Sequence, residues 1–286
     1  MSGKRENKRR RSRLPGLAAL VCVLAVLMSP GPADAANSPV EQPAAVRTAE
    51  HAVPSAAPAQ TPARTAEPVQ APEARMPEAP VAEPEPEWAP VPEGEAQEDT
   101  YFADAVFLGD SRTEGFHLYS GLKEGTYFYA VGATVESVFT KAVWEQEGGK
   151  VPLLDAAADV SCGKIYVMLG VNELGWNKVE TFTNQYAKVI DRLREDHPDA
   201  EVVIQSILPV SAAQDAKGTY VNNQRIRTFN EAILALAEEK DCAYVNVAEA
   251  VTGEDGCLRP ELTSDGVHLN TAGCRIWLDC LRTHPV

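Results

Sequence analysis

Two stretches of the sequence carry the side chains that nucleophilic catalysis needs. Ser111 directly follows the apolar run 105–109, and the stretch TSDGVHLN near the C-terminus holds Asp265 and His268 three residues apart. A serine hydroxyl becomes an effective nucleophile when a histidine takes its proton and a carboxylate orients that histidine. A loop containing Gly266 can turn both partner side chains the same way. The pattern therefore predicts a nucleophile, a general base and an orienter.

Acyl transfer also needs hydrogen-bond donors aimed at the oxyanion that forms in the transition state. Gly132, in the stretch AVGATVES, lets its backbone N–H approach a ligand closely, and Asn172, in MLGVNELGW, offers a side-chain amide. Together with the N–H of Ser111, these groups give three donors. Each donor follows a different apolar run, so the arrangement is consistent only if those runs lie side by side.

Short apolar runs and longer helical patterns alternate beyond residue 100, which predicts an α/β fold with helices on both faces of a central parallel sheet of about five strands. The predicted strands, which are short and rich in β-branched residues, are 104–109, 126–131, 164–169, 201–207 and 243–247. The predicted helices lie near 134–144, 179–196, 222–240 and 270–283. Sites in such folds lie at the carboxyl ends of the strands, where all four polar blocks fall.

These four blocks resemble the SGNH, or GDSL, hydrolase family over about residues 101–286. The matching residues are Gly109-Asp110-Ser111, Gly132, Gly170-Val171-Asn172 and Asp265-Gly266-Val267-His268. The resemblance implies a three-layer α/β/α, flavodoxin-like fold and esterase-type chemistry. It implies neither a metal nor an organic cofactor.

The resemblance also implies a role for each of the matching polar residues. Ser111 would be the nucleophile, His268 the general base and Asp265 its orienter. The oxyanion hole would consist of the N–H groups of Ser111 and Gly132 and the side chain of Asn172.

Three further residues near the blocks are candidates for substrate binding. The first block of the family usually continues with Leu or Ile, whereas Arg112 stands here, and Glu173 occupies the last place of the third block, where Asp is usual. We expect these two side chains either to pair across the mouth of the site or to face water. Trp176 is a candidate sugar-stacking platform, with a core position as the alternative.

The first hundred residues predict export and a spacer. Residues 1–36 combine a basic start, the apolar stretch 14–28 and an Ala-Asp-Ala end, which is typical of a secretory signal peptide, with an uncleaved membrane anchor as the alternative. Residues 37–100 are rich in Pro, Ala and Glu and predict a disordered, extended linker before the hydrolase domain at 101–286. We therefore expect a secreted or membrane-anchored extracellular protein, held near the cell wall or membrane surface.

The charge of the chain disfavours a nucleic-acid partner. The formal net charge is −15, and removal of the basic first 35 residues makes it −20. Binding to phosphate backbones needs clustered positive charge.

Five cysteines follow the predicted signal, and an odd number leaves at least one without a disulfide partner. No C-x-x-C spacing occurs, which disfavours a structural zinc site. A disulfide between Cys257 and either Cys274 or Cys280 is an alternative that the sequence allows.

Taken together, these features predict an exported serine esterase that removes an acyl group, with acetyl favoured, from a carbohydrate or similar ester. The expected partner is a small ester or an acylated glycan. One alternative is an extracellular O-acyltransferase that acts on cell-surface glycan with the same residues. Another is a catalytically silent surface-binding module.

Overall fold

A parallel sheet of five strands forms the centre of the computed structural model, which describes residues 88–286. The strands of the described chain are β1 (Ala105–Gly109), β2 (Thr126–Tyr129), β3 (Trp144–Gln146), β4 (Gly149–Val151), β5 (Lys164–Met168), β6 (Glu201–Gln205) and β7 (Ala243–Val245). The central sheet has the order β2-β1-β5-β6-β7 with every neighbouring pair parallel. In chain order this is 2-1-3-4-5, the flavodoxin-like order that the resemblance implied.

Helices cover both faces of this sheet. They are α1 (Ser111–Tyr119), α2 (Ser137–Thr140), α3 (Leu153–Ala158), α4 (Val179–Asp196), α5 (Ala212–Asp215), α6 (Asn223–Glu239), α7 (Val247–Val251) and α8 (Thr271–Thr283). Single 3₁₀ turns lie at Asp99–Phe102, Val171–Glu173 and Pro260–Leu262.

The alternation of side chains along each strand divides the core into two layers, because successive strand residues point to opposite faces. Val106 and Leu108 of β1 pack in the same cluster as the apolar faces of α3, α4 and α6. Phe107, between them, packs on the other face with residues of α1, α7 and α8. The predicted three-layer α/β/α fold is confirmed.

All five predicted strands and three of the four predicted helices are present in the structure. The helix predicted over 134–144 is wrong, because only Ser137–Thr140 is helical and the hairpin of β3 and β4 begins at Trp144. The hydroxyls of Thr134 and Ser137 each accept the backbone N–H of the other residue, at 3.0 and 2.8 Å. Such local bonds compete with a continuing helix.

The described part of the predicted linker is bound to the folded domain. The indole of Trp88 donates to the carbonyl oxygen of Cys242 at 3.0 Å, and the N–H of Val91 donates to the carbonyl oxygen of Tyr244 at 2.9 Å. These bonds attach the segment that begins at Trp88 to the edge strand β7 and to Cys242, the residue before that strand. Packing therefore extends at least to Trp88, ahead of the predicted domain start.

The predicted signal or anchor at 1–36 and the first part of the linker lie outside the described residues. Within 88–286, no helix has both the length and the apolar character needed to cross a membrane. The five cysteines of this part are all free thiols, so the disulfide considered for Cys257 does not form.

Helix α8, which follows the His268 loop, is anchored to the sheet by one buried polar contact. The indole N–H of Trp277 donates to Oε1 of Gln205, at the end of β6, at 2.7 Å. Both side chains are buried. A buried donor without a partner costs ~1–3 kcal/mol, so this bond fixes how α8 lies on the sheet.

The substitution Gln205→Leu is therefore expected to lower the free energy of unfolding by ~1–3 kcal/mol, since it leaves the Trp277 indole N–H buried and unpaired. Urea denaturation of the variant measures the change. Gln205→Glu, which keeps an acceptor in the same place, serves as the comparison at mildly acidic pH. A Gln205→Leu protein as stable as the parent would show that this bond does not anchor α8.

Candidate active site

Ser111, His268 and Asp265 form a continuous line of hydrogen bonds at the carboxyl edge of the sheet. Oγ of Ser111 lies 3.0 Å from Nε2 of His268, and Nδ1 of His268 lies 2.7 Å from Oδ2 of Asp265. An ionised carboxylate only accepts, so Nδ1–H donates to Asp265 and Nε2 is left to accept the serine proton. Both distances are in the range for a nucleophile with its base and orienter.

The start of α1 places Ser111 at the end of β1. Asp110 is the extended N-cap residue, and its Oδ1 accepts the N–H of Arg112 at 2.8 Å. The first N–H groups of a helix have no partner within the helix. The N–H of Ser111, the first residue of α1, therefore remains available to a ligand beside its own hydroxyl.

The base and its orienter lie on a loop that Thr263 closes. Its Oγ1 donates to the carbonyl oxygen of His268 at 2.7 Å and accepts the N–H of Gly266 at 2.9 Å. Gly266 has a φ of +85°, which favours glycine. Thr263 is not among the residues predicted from the sequence, although a threonine two residues before Asp-Gly is a recognisable turn signal.

Hydrogen bonds keep the carboxylate of Asp265 ionised. Partial burial acts to raise its pKa, but bonds from the backbone N–H and ring of His268 and from the N–H of Val267 outweigh burial and lower the pKa to about 2. The negative charge beside Nδ1 stabilises a positive imidazole. The side chain is thus suited to orient His268 and to support it as the proton arrives.

Two of the three predicted oxyanion donors are backbone groups at this edge, and the third is already engaged. Gly132 lies on an exposed turn with a φ of +73°. The side-chain nitrogen of Asn172 donates to the carbonyl oxygen of Ala133 at 2.8 Å and lies 3.4 Å from Oδ2 of Asp110. The second contact is at the long end of the hydrogen-bond range, so this N–H is the one that a ligand oxygen can take over.

The expectation that Arg112 and Glu173 pair across the mouth of the site or face water is wrong. Arg112 is 3% exposed and Glu173 is fully buried. Nη1 of Arg112 donates to the carbonyl oxygen of Leu208 at 2.8 Å. Because α1 begins under the loop that follows β6, its second residue points into the protein. Neither side chain is placed to line an open substrate pocket.

Glu173 instead supports the loop that carries Gly132. Its Oε1 accepts the N–H of Val135 at 2.6 Å, while Oε2 is buried without a hydrogen-bond partner among the described residues. Burial, with a smaller contribution from the nearby charge of Asp110, raises the pKa of Glu173 to about 8. The buried carboxyl is therefore mostly neutral near pH 7.

Trp176 is partly buried and packs against the apolar cluster beneath α3, α4 and α6. Its carbonyl oxygen accepts from Nη2 of Arg225 at 2.6 Å. These contacts agree with the core alternative for Trp176.

Cavities open on both sides of the loop that carries His268 and Asp265. One, of about 260 Å³, is lined by these two residues and by five others, which are Tyr119, Ser264, Leu269, Asn270 and Thr271. The other, of about 460 Å³, lies toward α5. Within the described chain, no three His, Cys, Asp or Glu side chains are grouped as metal ligands.

The fold and site define a class of α/β proteins with a serine at the end of the first strand and its histidine and aspartate near the C-terminus. A family model, described as the GDSL-like Lipase/Acylhydrolase family, matches residues 107–276, more than half of the chain. The chain belongs to this family of ester-bond hydrolases. No curated protein matches it.

Solved structures similar to the chain include proteins with the following descriptions. One from Streptococcus pneumonia, provisionally described as a platelet activating factor, is 26% identical, has a TM-score of 0.52, and aligns over 62% of this chain and 81% of its own. A GDSL-like lipase from Bacteroides thetaiotaomicron VPI-5482 is 20% identical over 64% and 87%, with a TM-score of 0.47. The acetyl xylan esterase AlAXEase is 18% identical over 62% and 96%, also at 0.47.

The raised pKa of Glu173 predicts a pH dependence of stability. The pKa is about 8 in the folded protein against an ordinary value of 4.5, so the folded state holds a proton that the unfolded chain releases between these values. The stabilisation is fully present below pH 4.5 and is lost as the pH rises through 8.

Relative to the Glu173→Gln variant, the parent should lose ~1.4 kcal/mol of unfolding free energy per pH unit in that window. Urea denaturation of both proteins at pH 5, 6.5 and 8 measures the difference. Parallel stability curves for the two proteins would contradict the assignment of a buried, neutral Glu173.

Proposed function

We propose that the protein is an exported serine esterase that removes a small acyl group, with acetyl favoured, from a carbohydrate or a similar polyhydroxyl ester. The observation that carries the proposal is the unbroken line from Oγ of Ser111 through the ring of His268 to Asp265, with distances of 3.0 and 2.7 Å, in a member of an acylhydrolase family.

In the first half of the reaction, Oγ of Ser111 attacks the ester carbonyl carbon while Nε2 of His268 takes the hydroxyl proton. The carbonyl oxygen becomes an oxyanion, and we assign its stabilisation to the N–H groups of Ser111 and Gly132 and to the amide of Asn172, which would give up its contact with Asp110. The tetrahedral intermediate then breaks its bond to the alcohol oxygen. His268 returns the proton to that oxygen, the alcohol leaves, and an acyl-serine remains.

In the second half, His268 takes a proton from water, and the water oxygen attacks the acyl carbon of the acyl-serine. Collapse of this second intermediate breaks the bond to Oγ, and His268 reprotonates Ser111. The carboxylic acid leaves and the enzyme is restored. Throughout, Asp265 remains ionised and holds the imidazole in the tautomer that the first step needs.

The size of the nearer cavity supports a small acyl group. Its volume is about 260 Å³, and Tyr119, Ser264, Leu269 and Thr271 line it beside the Asp265–His268 pair. Pockets that hold drug-sized ligands span ~300–1,000 Å³. A short acyl group therefore fits this volume better than a long chain, and Ser264 and Thr271 offer hydroxyl groups to a polyhydroxyl leaving group.

Export and the place of action are proposed from the first hundred residues. The signal-like segment 1–36 supports secretion or anchoring outside the cell, and the Pro-rich spacer supports a position near the wall or membrane surface. N-terminal sequencing of the protein recovered from its source distinguishes the two: a start near residue 36 indicates cleavage, and a retained Met1 indicates an anchor.

Replacement of the nucleophile tests the chemistry. With p-nitrophenyl acetate, Ser111→Ala should lower kcat/KM at least ~1,000-fold, because the oxygen that attacks the ester in the first step is removed. Ser161→Ala is the matched control, since Ser161 is exposed and lies before β5, at the opposite edge of the sheet. Activity retained in Ser111→Ala would overturn the proposed nucleophile and with it the triad.

The choice of substrate tests the finer proposal. A series of p-nitrophenyl esters should show highest kcat/KM for acetyl and a steady fall toward octanoyl. Acetylated xylan or chito-oligosaccharide should release free acetate. Acetyl groups appearing on an added glycan would identify the O-acyltransferase instead, and a preference for octanoyl would contradict the small-acyl proposal.

A further inference from the structure

We propose that Arg112 is a positioning residue. Through its bond to the carbonyl group of Leu208, it holds Ser111 in place relative to the loop that carries Asp265 and His268. This inference rests on the function proposed for Ser111 and His268. It gives a role to the residue by which the chain departs from the usual first block of its family.

The contacts of Arg112 begin at the first turn of α1. Arg112 is adjacent to Ser111, and its own N–H is fixed by the carboxylate of Asp110 at 2.8 Å. Its guanidinium reaches away from the helix and donates from Nη1 to the carbonyl oxygen of Leu208 at 2.8 Å. Arg112 and Leu208 are 3% and 0% exposed, so solvent does not compete for this bond.

The segment that receives this bond also touches the loop of the base. The N–H of Ser211 donates to the carbonyl oxygen of Gly266 at 2.9 Å, between the two catalytic candidates Asp265 and His268. The contact is close, since a Cβ atom at position 266 would lie 2.5 Å from Oγ of Ser211. A path of short hydrogen bonds and three residues of main chain therefore links Arg112 to the Asp265–His268 pair.

Helix α6 holds this segment, which follows β6, through side-chain bonds to its backbone. The side chain of Asn223, in α6, pairs with both backbone groups of Val210, at 2.8 Å each. Asn230, about two turns further along α6, pairs in the same way with Ile207, at 2.7 and 2.8 Å. Leu208 lies between these two anchored residues, so a bond to its carbonyl oxygen positions α1 against a segment that is held on both sides.

The burial of Arg112 is costly for the fold, which argues for a role beyond packing. Its Nε and Nη2 atoms are buried with no hydrogen-bond partner among the described residues. Burial lowers the pKa of the guanidinium to about 10, while the charges of Asp110 and Asp265 act against that change. A buried, partly unsatisfied ion is weak support for stability, and an apolar residue of similar volume often serves the fold as well.

A small displacement of Ser111 from His268 is enough to lower the reaction rate. Loss of alignment by ~1 Å between reacting groups can cost ~100-fold in rate. Removal of Arg112 should therefore lower kcat and leave KM nearly unchanged, because the side chain is buried and lines none of the cavities beside the Asp265–His268 loop.

Kinetics of Arg112→Leu and Arg112→Lys with p-nitrophenyl acetate test the proposal, with rates expressed per folded molecule as determined by circular dichroism and urea denaturation. We expect Arg112→Leu to lower kcat ~10- to 100-fold with KM within twofold of the parent. Arg112→Lys should recover part of kcat, since an ammonium can still donate to the Leu208 carbonyl, though without the fixed geometry of a guanidinium.

The double variant Arg112→Leu/His268→Ala separates positioning from a general structural effect. If Arg112 acts by aligning Ser111 with His268, its loss should change nothing further once His268 is absent. A merely structural residue would lower activity by the same factor in both backgrounds. Equal factors, or an Arg112→Leu enzyme with parental kcat, would overturn the proposal.

The parallel assay of Ser111→Ala keeps the two proposals distinguishable. Activity retained in Ser111→Ala rejects the triad itself. Loss in Ser111→Ala together with parental kcat in Arg112→Leu rejects only the positioning role.

Discussion

The hydrogen bond between Oγ of Ser111 and Nε2 of His268 is the contact on which the rest of the site depends. It joins two residues that are 157 positions apart in the sequence, one at the start of a helix and one in a loop. Neither side chain can correct a large error in the placement of the other, because each is fixed by its own backbone. The sheet order brings the two elements to one edge, and the buried bonds around α1, α8 and the segment after β6 determine the remaining distance between them.

Two kinds of polar group surround this contact, and they differ in burial. The carboxylate of Asp265 is partly exposed, and its hydrogen bonds lower its pKa to about 2, so it provides a permanent charge beside the imidazole. Glu173 and Arg112 are buried and contact backbone groups of neighbouring loops. The exposed carboxylate lies beside the candidate base, while the buried groups contact the loop that carries Gly132 and the segment after β6. This division explains how ionisable residues can be buried at unusual positions beside the candidate site.

The strands, and the candidate residues Ser111, Asp265 and His268 that meet at the sheet edge, could be found from the sequence because both signals are local. Apolar runs predict buried strands, and a polar residue directly after each run falls at the carboxyl edge. The burial of Arg112 and Glu173 could not be predicted in this way, since charged side chains are usually exposed. The partner of Arg112 is a main-chain carbonyl 96 residues away, which no side-chain pattern marks. The short hairpin of β3 and β4 was missed for a related reason, because three-residue strands carry too little periodicity to identify.

Covalent labelling with a fluorophosphonate, followed by peptide mass spectrometry, tests the central claim most directly. A nucleophile activated by His268 should take up one phosphonyl group per folded molecule, on Oγ of Ser111, and the unfolded protein should take up none. Labelling of another serine, or a folded and ester-hydrolysing protein with no adduct on Ser111, would contradict the account.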